Sequence, residues 1–407
     1  MYILGVNISH HASVCLLKDG KVLFYLEDDR LSRNKEAMFL FENKLLSFKK
    51  VGEYTDHVDH IIFCSYGRCM KGFSSREVFG GRVLDDQQVV RYILRIVEEK
   101  SWFRYDEIHF LQNEHHLYHA YNAFYSTNFN NAAALVMDGG GNIYPDSLPS
   151  HPDFMEIKSM GLEKHFREVE TMYSFDSKGS SQCLFKHYAS RSICRYHRPS
   201  QLNNIFFSSS DSCGCLFSDI SSSLGLFAPD RRAQSGKTMG LSSYGERPEF
   251  LDEPWFKEDK KTGIWVTDND LILKIFYEHY PYFYDKLIRC YTSEGLNSSD
   301  LFDDMNKEEF DAASSIARKI QEETKLHTIR LIKKLLDMVD TNNIVLSGGY
   351  FLNCVNNYEY IKEFPEVNFY IDPIAHDGGT AMGAARYVWH HILKKTKRYP
   401  LDSLFLG

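Results

Sequence analysis

Three short runs of aliphatic and β-branched residues open the chain, Tyr2 to Val6, Ser13 to Leu17 and Lys21 to Glu27, separated by a polar turn at Asn7 to Ala12 and by Asp19-Gly20. This pattern predicts three strands joined by tight turns. It begins again at Ala132 to Asp138, breaks at Gly139-Gly140-Gly141, and continues through Glu168 to Phe175 and Gln182 to His187. The two runs form a weak internal repeat. A third unit, strand then turn then helix, is expected over Asn343 to Leu346, Ser347-Gly348-Gly349 and Phe351 to Tyr360. Helical spacing marks Gln87 to Lys100, His115 to Tyr125 and Asn306 to Val339. In the last of these Phe310, Ala313, Ile316, Ala317 and Ile320 recur on one face, and the pattern stops at Asp340-Thr341-Asn342-Asn343. Strands alternating with helices predict an α/β fold. Residues 145–212 show little periodicity and read as an inserted segment over a site.

Composition narrows the function. With 47 Lys+Arg against 55 Asp+Glu the net charge is −8, and no basic run offers a grip on duplex DNA or an anionic membrane. Small anionic ligands remain open to local basic residues. The 43% hydrophobic content excludes disorder, and the length of 407 residues suits two or three lobes. No apolar run reaches the about 18 residues of a membrane span, and Met1 to Asn7 reads as a strand rather than a signal peptide. Nine scattered cysteines without a CxxC point to reduced thiols and a cytoplasmic setting.

The sharpest chemical feature is Glu114-His115-His116-Leu117-Tyr118-His119. On a helix His115 and His119 project from one face, the spacing two imidazoles need to hold one metal ion. A polar helix surface is the alternative, and His116, off that face, reads as a supporting or core group. Carboxylates from Asp138 and Asp377, each at a strand end before glycines, would complete a mixed ligand set that suits iron(II), zinc or manganese. Their position beside glycine turns suggests exposure at a cleft, although an Asp-Gly pair is often a turn and nothing more.

Three glycine turns follow strands, at Gly139-Gly140-Gly141, Gly348-Gly349 and Gly378-Gly379. Their amides can face phosphate oxygens, and together they favour a nucleotide-binding cleft. None matches GxGxxG or GxxxxGK[ST]. Gly236-Lys237-Thr238 with Arg231 and Arg232 is a basic patch in an acidic protein, either an anion clamp or a solvated loop. The mixed-charge run Glu27 to Lys35 reads, alone, as a surface turn. His10 and His11 lie in the first polar turn, where a histidine can act as a general base. The aromatic clusters Tyr118 to Tyr125 and Phe276 to Tyr284 can stack a ligand ring or simply pack a core.

In order along nearly the whole chain, Leu4-Gly5-Val6-Asn7 with His10, Glu27 to Lys35, the HHxxHAxxAFY run from His115, Asp138 to Gly141, Gly236 to Leu241 with Tyr244-Gly245, Leu346 to Cys354 and Asp377 to Ala385 resemble the N-terminal domain of the NodU/CmcH/TobZ family of O-carbamoyltransferases. That domain is related to the tRNA threonylcarbamoyl-adenosine transferase subunit. The resemblance implies an actin-like ATPase fold of two ribonuclease-H-like lobes around a nucleotide and metal cleft, residues 1–130 and 131–407. It implies iron(II) on His115, His119, Asp377 and Asp138, and carbamoyl transfer to a small-molecule hydroxyl from a carbamoyl-adenylate made of carbamoyl phosphate and ATP. It further implies His10 as base, Lys35 and Arg33 at the donor, and Lys237, Gly139, Gly140, Gly141, Gly348, Gly349 and Asn353 around the nucleotide.

Departures stand at His10-His11, where relatives show His-Asp, and at Gln234-Ser235, where they usually carry Glu, so the acceptor pocket is expected to differ. The end, Tyr399 to Gly407, resembles the junction after which a YrdC-type domain normally continues; that domain, in cis or in trans, would form the adenylate. Two other readings stand beside this one. A tRNA threonylcarbamoyl transferase is disfavoured by the net charge, and a non-catalytic actin-like nucleotide switch has no use for a metal site.

Overall fold

The computed structural model describes residues 1–9, 11–33, 45–64, 86–111, 114–142, 166–190, 200–202, 204–208, 210–228, 233–260, 262–292 and 305–403. The opening strands are β1 (Tyr2–Asn7), β2 (Ser13–Lys18) and β3 (Lys21–Glu27), followed by the short helices α1 (Asp28–Ser32) and α2 (Leu46–Gly52). Then come β4 (His57–Cys64), α3 (Asp86–Glu99), β5 (Arg104–Phe110) and α4 (His115–Tyr125). The first sheet has the order β3-β2-β1-β4-β5, antiparallel within the opening meander and parallel from β1 to β5.

The second half repeats it. Strands β6 (Ala132–Met137), β7 (Arg167–Phe175) and β8 (Ser181–Ala189) form an antiparallel meander, and β13 (Asn343–Ser347) and β14 (Asn368–Ile371) add in parallel on the other side. The order β8-β7-β6-β13-β14 mirrors that of the first sheet, with β10 (Ile205–Ser208) and β9 (Ser200–Leu202) extending one edge. Of the segment 145–212, residues 167–189 therefore supply two strands inside this sheet, and 200–208 supply its edge. The two strands are those expected at Glu168 to Phe175 and Gln182 to His187; their period is faint because β7 is buried almost throughout, including Glu168 and Glu170.

Between β10 and β13 lie α5 (Cys213–Ser223), α6 (Ser235–Leu241), the hairpin β11 (Phe256–Glu258) and β12 (Trp265–Thr267), α7 (Asn269–His279), α8 (Pro281–Thr292) and α9 (Lys307–Met338). A capping box of Asn306 and Glu309 starts α9, satisfying donors that the first turn leaves open. Its face of Ala313, Ile316, Ala317 and Ile320 packs in the same core as Ala133, Leu135 and Met137 of β6. The aromatics Phe276, Tyr280 and Phe283 lie in that core too. Helices α10 (Cys354–Glu363) and α11 (Gly379–Tyr387) complete the fold. Among the described residues no helix is long and apolar enough to cross a membrane.

The two lobes are joined by an exchange of helices. Every residue of α4 is buried; its Leu117, Ala120, Tyr121 and Phe124 lie with Ala132, Ala134 and Val136 on the second sheet. Helix α11, from the end of the second lobe, lies on the first sheet, where Ala381, Met382, Ala384 and Ala385 meet Ile3, Cys15, Leu17 and Ile62. The run of small residues lets backbones touch. A Cβ on Gly383 would lie 1.9 Å from the Tyr118 carbonyl oxygen of α4, and one on Gly5 1.9 Å from the Ala381 carbonyl oxygen. Arg386 of α11, buried, donates to the Asn122 carbonyl and to Ser126 Oγ, both at 2.7 Å.

A charge pair is buried beside α4. Glu168 on β7 accepts from Lys186 on β8, and although burial opposes its ionisation, His116 and Lys186 hold its pKa down at about 2.

Two outcomes follow from this packing. Gly383→Ala should lower stability by about 1–3 kcal/mol or more and lower Tm, whereas Gly240→Ala, where nothing lies within 4 Å of the new Cβ, should leave Tm unchanged or raise it. Glu168, depressed from 4.5 to about 2, gives stability that is present above about pH 4.5 and is lost as pH falls toward 2. Denaturant titrations at several pH values should show Glu168→Gln flattening that stretch of the stability curve.

Candidate functional site

The exchange of helices sets four side chains against one another at the junction of the lobes. His115 and His119 are one turn apart on α4, Asp138 follows β6, and Asp377 stands between β14 and α11. One ligand atom from each lies within 4.8 Å of all the others. His115 Nε2 is 3.3 Å from His119 Nε2, 3.4 Å from Asp138 Oδ2 and 3.7 Å from Asp377 Oδ1, and His119 Nε2 is 3.9 Å from the same Asp377 oxygen. Ligands at about 2.1 Å from a common ion sit about 3.0 to 3.5 Å apart, so a modest contraction around a cation suits this donor set.

Both aspartates are buried, at 9% and 3% exposure. The expectation of carboxylates open at a cleft is corrected: the glycine turns fold over them. Gly349 N–H donates to Asp138 Oδ1 at 3.2 Å, and Ser9 Oγ donates to Asp377 Oδ2 at 3.4 Å. Asn7 binds that loop through the Asp377 carbonyl, 3.2 Å away.

Electrostatics separates the two histidines. Burial works against a charge on His115, but Asp377 and then Asp138 outweigh it and raise its pKa. Burial and the neighbouring His115 push His119 well below the ordinary histidine value, so it is neutral. Its Nδ1 lies 3.5 Å from Ser347 Oγ, which donates to Asp372 Oδ2 at 2.9 Å. Asp372 also accepts from Asn122 at 2.9 Å. This chain makes Nδ1 the protonated nitrogen of His119 and leaves the Nε2 lone pair facing the other three groups, the tautomer a metal ligand needs. Asp138 is held below the usual carboxylate range, since its bond to His115 outweighs burial. His116, fully buried and pushed down to about 4 by burial, accepts from or donates to Thr171 Oγ1 at 2.8 Å.

The run beginning at Glu27 is also corrected. Glu27 and Asp28 are buried rather than in a surface turn, because their partners come from elsewhere in the chain. Glu27 accepts from Tyr25 Oη at 2.9 Å, and His376 Nε2 is 3.3 Å away. Burial opposes its ionisation, yet His376 and Tyr25 bring its pKa to about 2. Burial works against a charge on His376, but Glu27 and then the adjacent Asp377 outweigh it and raise its pKa, and His11 packs on its ring at 4.5 Å between centroids.

Gly348, at φ +100°, abuts Met137, so the turn after β13 presses on the end of β6. The Gly139 carbonyl accepts from Ser212 Oγ at 3.0 Å, Gly140 faces Arg167, and Gly141 N–H pairs with the Glu168 carbonyl at 2.7 Å. Asn353 caps α10 and exchanges bonds with Gln321 at 2.8 and 2.9 Å. Lys237 is exposed on α6, whose Met239 reaches Cys354 at the start of α10. Arg33 is exposed at the end of α1. His10, Lys35, Arg231 and Arg232 lie outside the described residues. Sequence reasoning missed Ser9, Ser347 as an orienting group, Asp372, Glu27 and His376; only the adjacency of His376 to Asp377 hinted at any of them.

A sequence profile described as carbamoyltransferase N-terminus matches residues 2–386. Among curated proteins, the uncharacterized protein sll1178 of Synechocystis is 26% identical over 97% of this chain and 58% of its own length. The nodulation protein NolNO of Sinorhizobium fredii is 20% identical over 98% of this chain and 49% of its own. The chain thus spans about half the length of the curated relatives it matches. Among solved structures, HypF of T. kodakarensis superposes with a TM-score of 0.50 at 11% identity over 95% of this chain and 47% of that one. At that identity the likeness concerns the fold, an actin-like ATPase fold of paired lobes. By the profile's span over nearly all its residues, the chain belongs to the carbamoyltransferase N-terminus family.

Proposed function

We propose that the chain is the transfer domain of an O-carbamoyltransferase, moving a carbamoyl group from carbamoyl-adenylate to a hydroxyl of a small molecule such as a sugar, an antibiotic or a hydroxymethylated nucleotide. The observation that carries this reading is the convergence of His115, His119, Asp138 and Asp377 in a member of this family. In the reaction the acceptor oxygen attacks the carbamoyl carbon, the bond from that carbon to the phosphate oxygen breaks, and AMP leaves with the electron pair.

Each requirement has a candidate in the chain. A divalent cation, iron(II) in this reading, held by His115, His119, Asp138 and Asp377 would polarise the carbonyl oxygen as a Lewis acid. Ser347 and Asp372 hold His119 in its ligating tautomer, and Ser9 and Asn7 fix the Asp377 loop. His10 is assigned the acceptor proton. Lys35 and Arg33 are assigned to the donor's phosphate, and Lys237, Asn353 and the turns at Gly139 to Gly141 and Gly348-Gly349 to its nucleotide. The adenylate itself, from carbamoyl phosphate and ATP, is assigned to a YrdC-type domain in cis or in trans.

Elemental analysis of freshly purified protein should find about one equivalent of divalent metal per chain, lost in His115→Ala/His119→Ala and in the milder Asp377→Asn, with circular dichroism confirming that the latter stays folded. Supplied with carbamoyl-adenylate and a panel of hydroxylated nucleosides and sugars, the parent should yield a carbamate product by mass shift. Asp377→Asn should lower the rate by about 100-fold or more. No carbamate with any acceptor, or full activity in both variants, would overturn the assignment.

A further inference from the structure

A second polar constellation lies on the face of the second sheet opposite α4. A cavity of about 440 Å3 opens there between β7, β8, the loop before β12 and the second half of α9, a size that suits a small ligand. His327, Arg330, Lys334 and Asp337 recur along α9 three or four residues apart and all line it. The Arg330 guanidinium lies over Trp265 at 3.7 Å, and Lys334 Nζ lies over Phe185 at 4.3 Å.

Two of the cations that line this cavity make no ion pair within it. The buried carboxylate Glu170 is already committed to His187 Nδ1 at 2.8 Å and His327 Nε2 at 3.2 Å. Lys333 turns to Glu363 at 3.1 Å, and Asp337 is exposed at the rim. Among the described residues neither Arg330 nor Lys334 has a carboxylate partner, and Arg330 Nη1 and His327 Nδ1 are buried without any hydrogen bond. Burial lowers the pKa of both cations. Both cations are half-buried, the charges of Glu323 and Glu170 reach them without forming an ion pair, and aromatic faces offset only part of the cost of burial, so the cavity suits an anion.

We propose that this cavity is a binding site, separate from the four-residue cluster, for a small phosphate-bearing ligand whose oxygens are taken by Arg330 and Lys334 against the walls of Trp265 and Phe185. Two cations, one a guanidinium with five N–H donors, offer more contacts than the two oxygens of a carboxylate use, which favours phosphate. The ligand is either free phosphate or the phosphate of a nucleotide. The site is independent of the transfer reaction.

Thermal shift and calorimetry on the full chain, with inorganic phosphate and AMP as probes, test it. At about ten times Kd, phosphate, AMP or both should raise the parent Tm by about 2 °C or more. Arg330→Gln/Lys334→Gln should abolish the rise with phosphate and lower the rise with AMP to what the transfer site supplies, whereas Lys50→Gln, at an exposed pair with Glu53, should keep both. A rise lost in the double variant with both probes identifies free phosphate as sufficient, and one lost with AMP alone identifies a nucleotide. Without ligand the double variant should melt no lower than the parent, since it removes unpaired charge. No shift in the parent with either probe, shifts with both probes that survive undiminished in the double variant, or a double variant that melts several degrees lower without ligand would each overturn the proposal.

Discussion

Two backbone contacts govern the geometry of this protein. Gly5 lets α11 settle on the central strand of the first sheet, and Gly383 lets α11 cross α4 at Tyr118, each at a distance that no Cβ tolerates. Because α4 is at the same time packed on the second sheet, these contacts fix one lobe against the other. They also bring the loop ending in Asp377 over the two histidines. The four-residue cluster is therefore a product of helix packing, and its dimensions follow from the small residues of α11 and not from a dedicated binding loop.

Around that frame the charges are arranged economically. Asp138 and Asp377 are brought into the interior, where lone carboxylates would be costly, and each finds donors in a glycine turn or a serine. His119 is kept neutral while His115 is kept basic by its two carboxylate neighbours, so the helix presents two imidazoles in different electronic states at adjacent turns. Behind them Asp372 gathers Ser347 and Asn122, and Arg386 locks Asn122 to α11. The same polar chain thus positions a candidate ligand and clamps the interlobe helices.

What was legible in the amino-acid sequence was what is local. The apolar runs of β1 to β3, the one-turn spacing of His115 and His119, the helical spacing that begins at Asn306 and the glycine turns all express themselves within a few residues. The repeat of three strands was visible, but its continuation into β7 was weak because Glu168 and Glu170 interrupt the apolar run with buried carboxylates whose partners are remote. Glu27 reads as surface charge for the same reason: nothing near it in the chain announces His376. Asn7 and Asp377 touch across 370 residues, a separation no pattern of spacing reports. The orienting roles of Ser347 and Asp372 are likewise invisible, since serine and aspartate beside a glycine or proline look like turn residues wherever they stand.

The exchanged helices also impose an order of assembly. As the chain emerges from a ribosome, the first sheet can pair its strands once β5 is made, but the face bearing Ile3, Leu17 and Ile62 stays uncovered until α11 follows some 270 residues later. Helix α4 waits likewise for β6 and β13. The last of the four clustered groups in chain order, Asp377, therefore comes with the segment that covers the apolar face of the first sheet. Completion of the fold and completion of the site are one event.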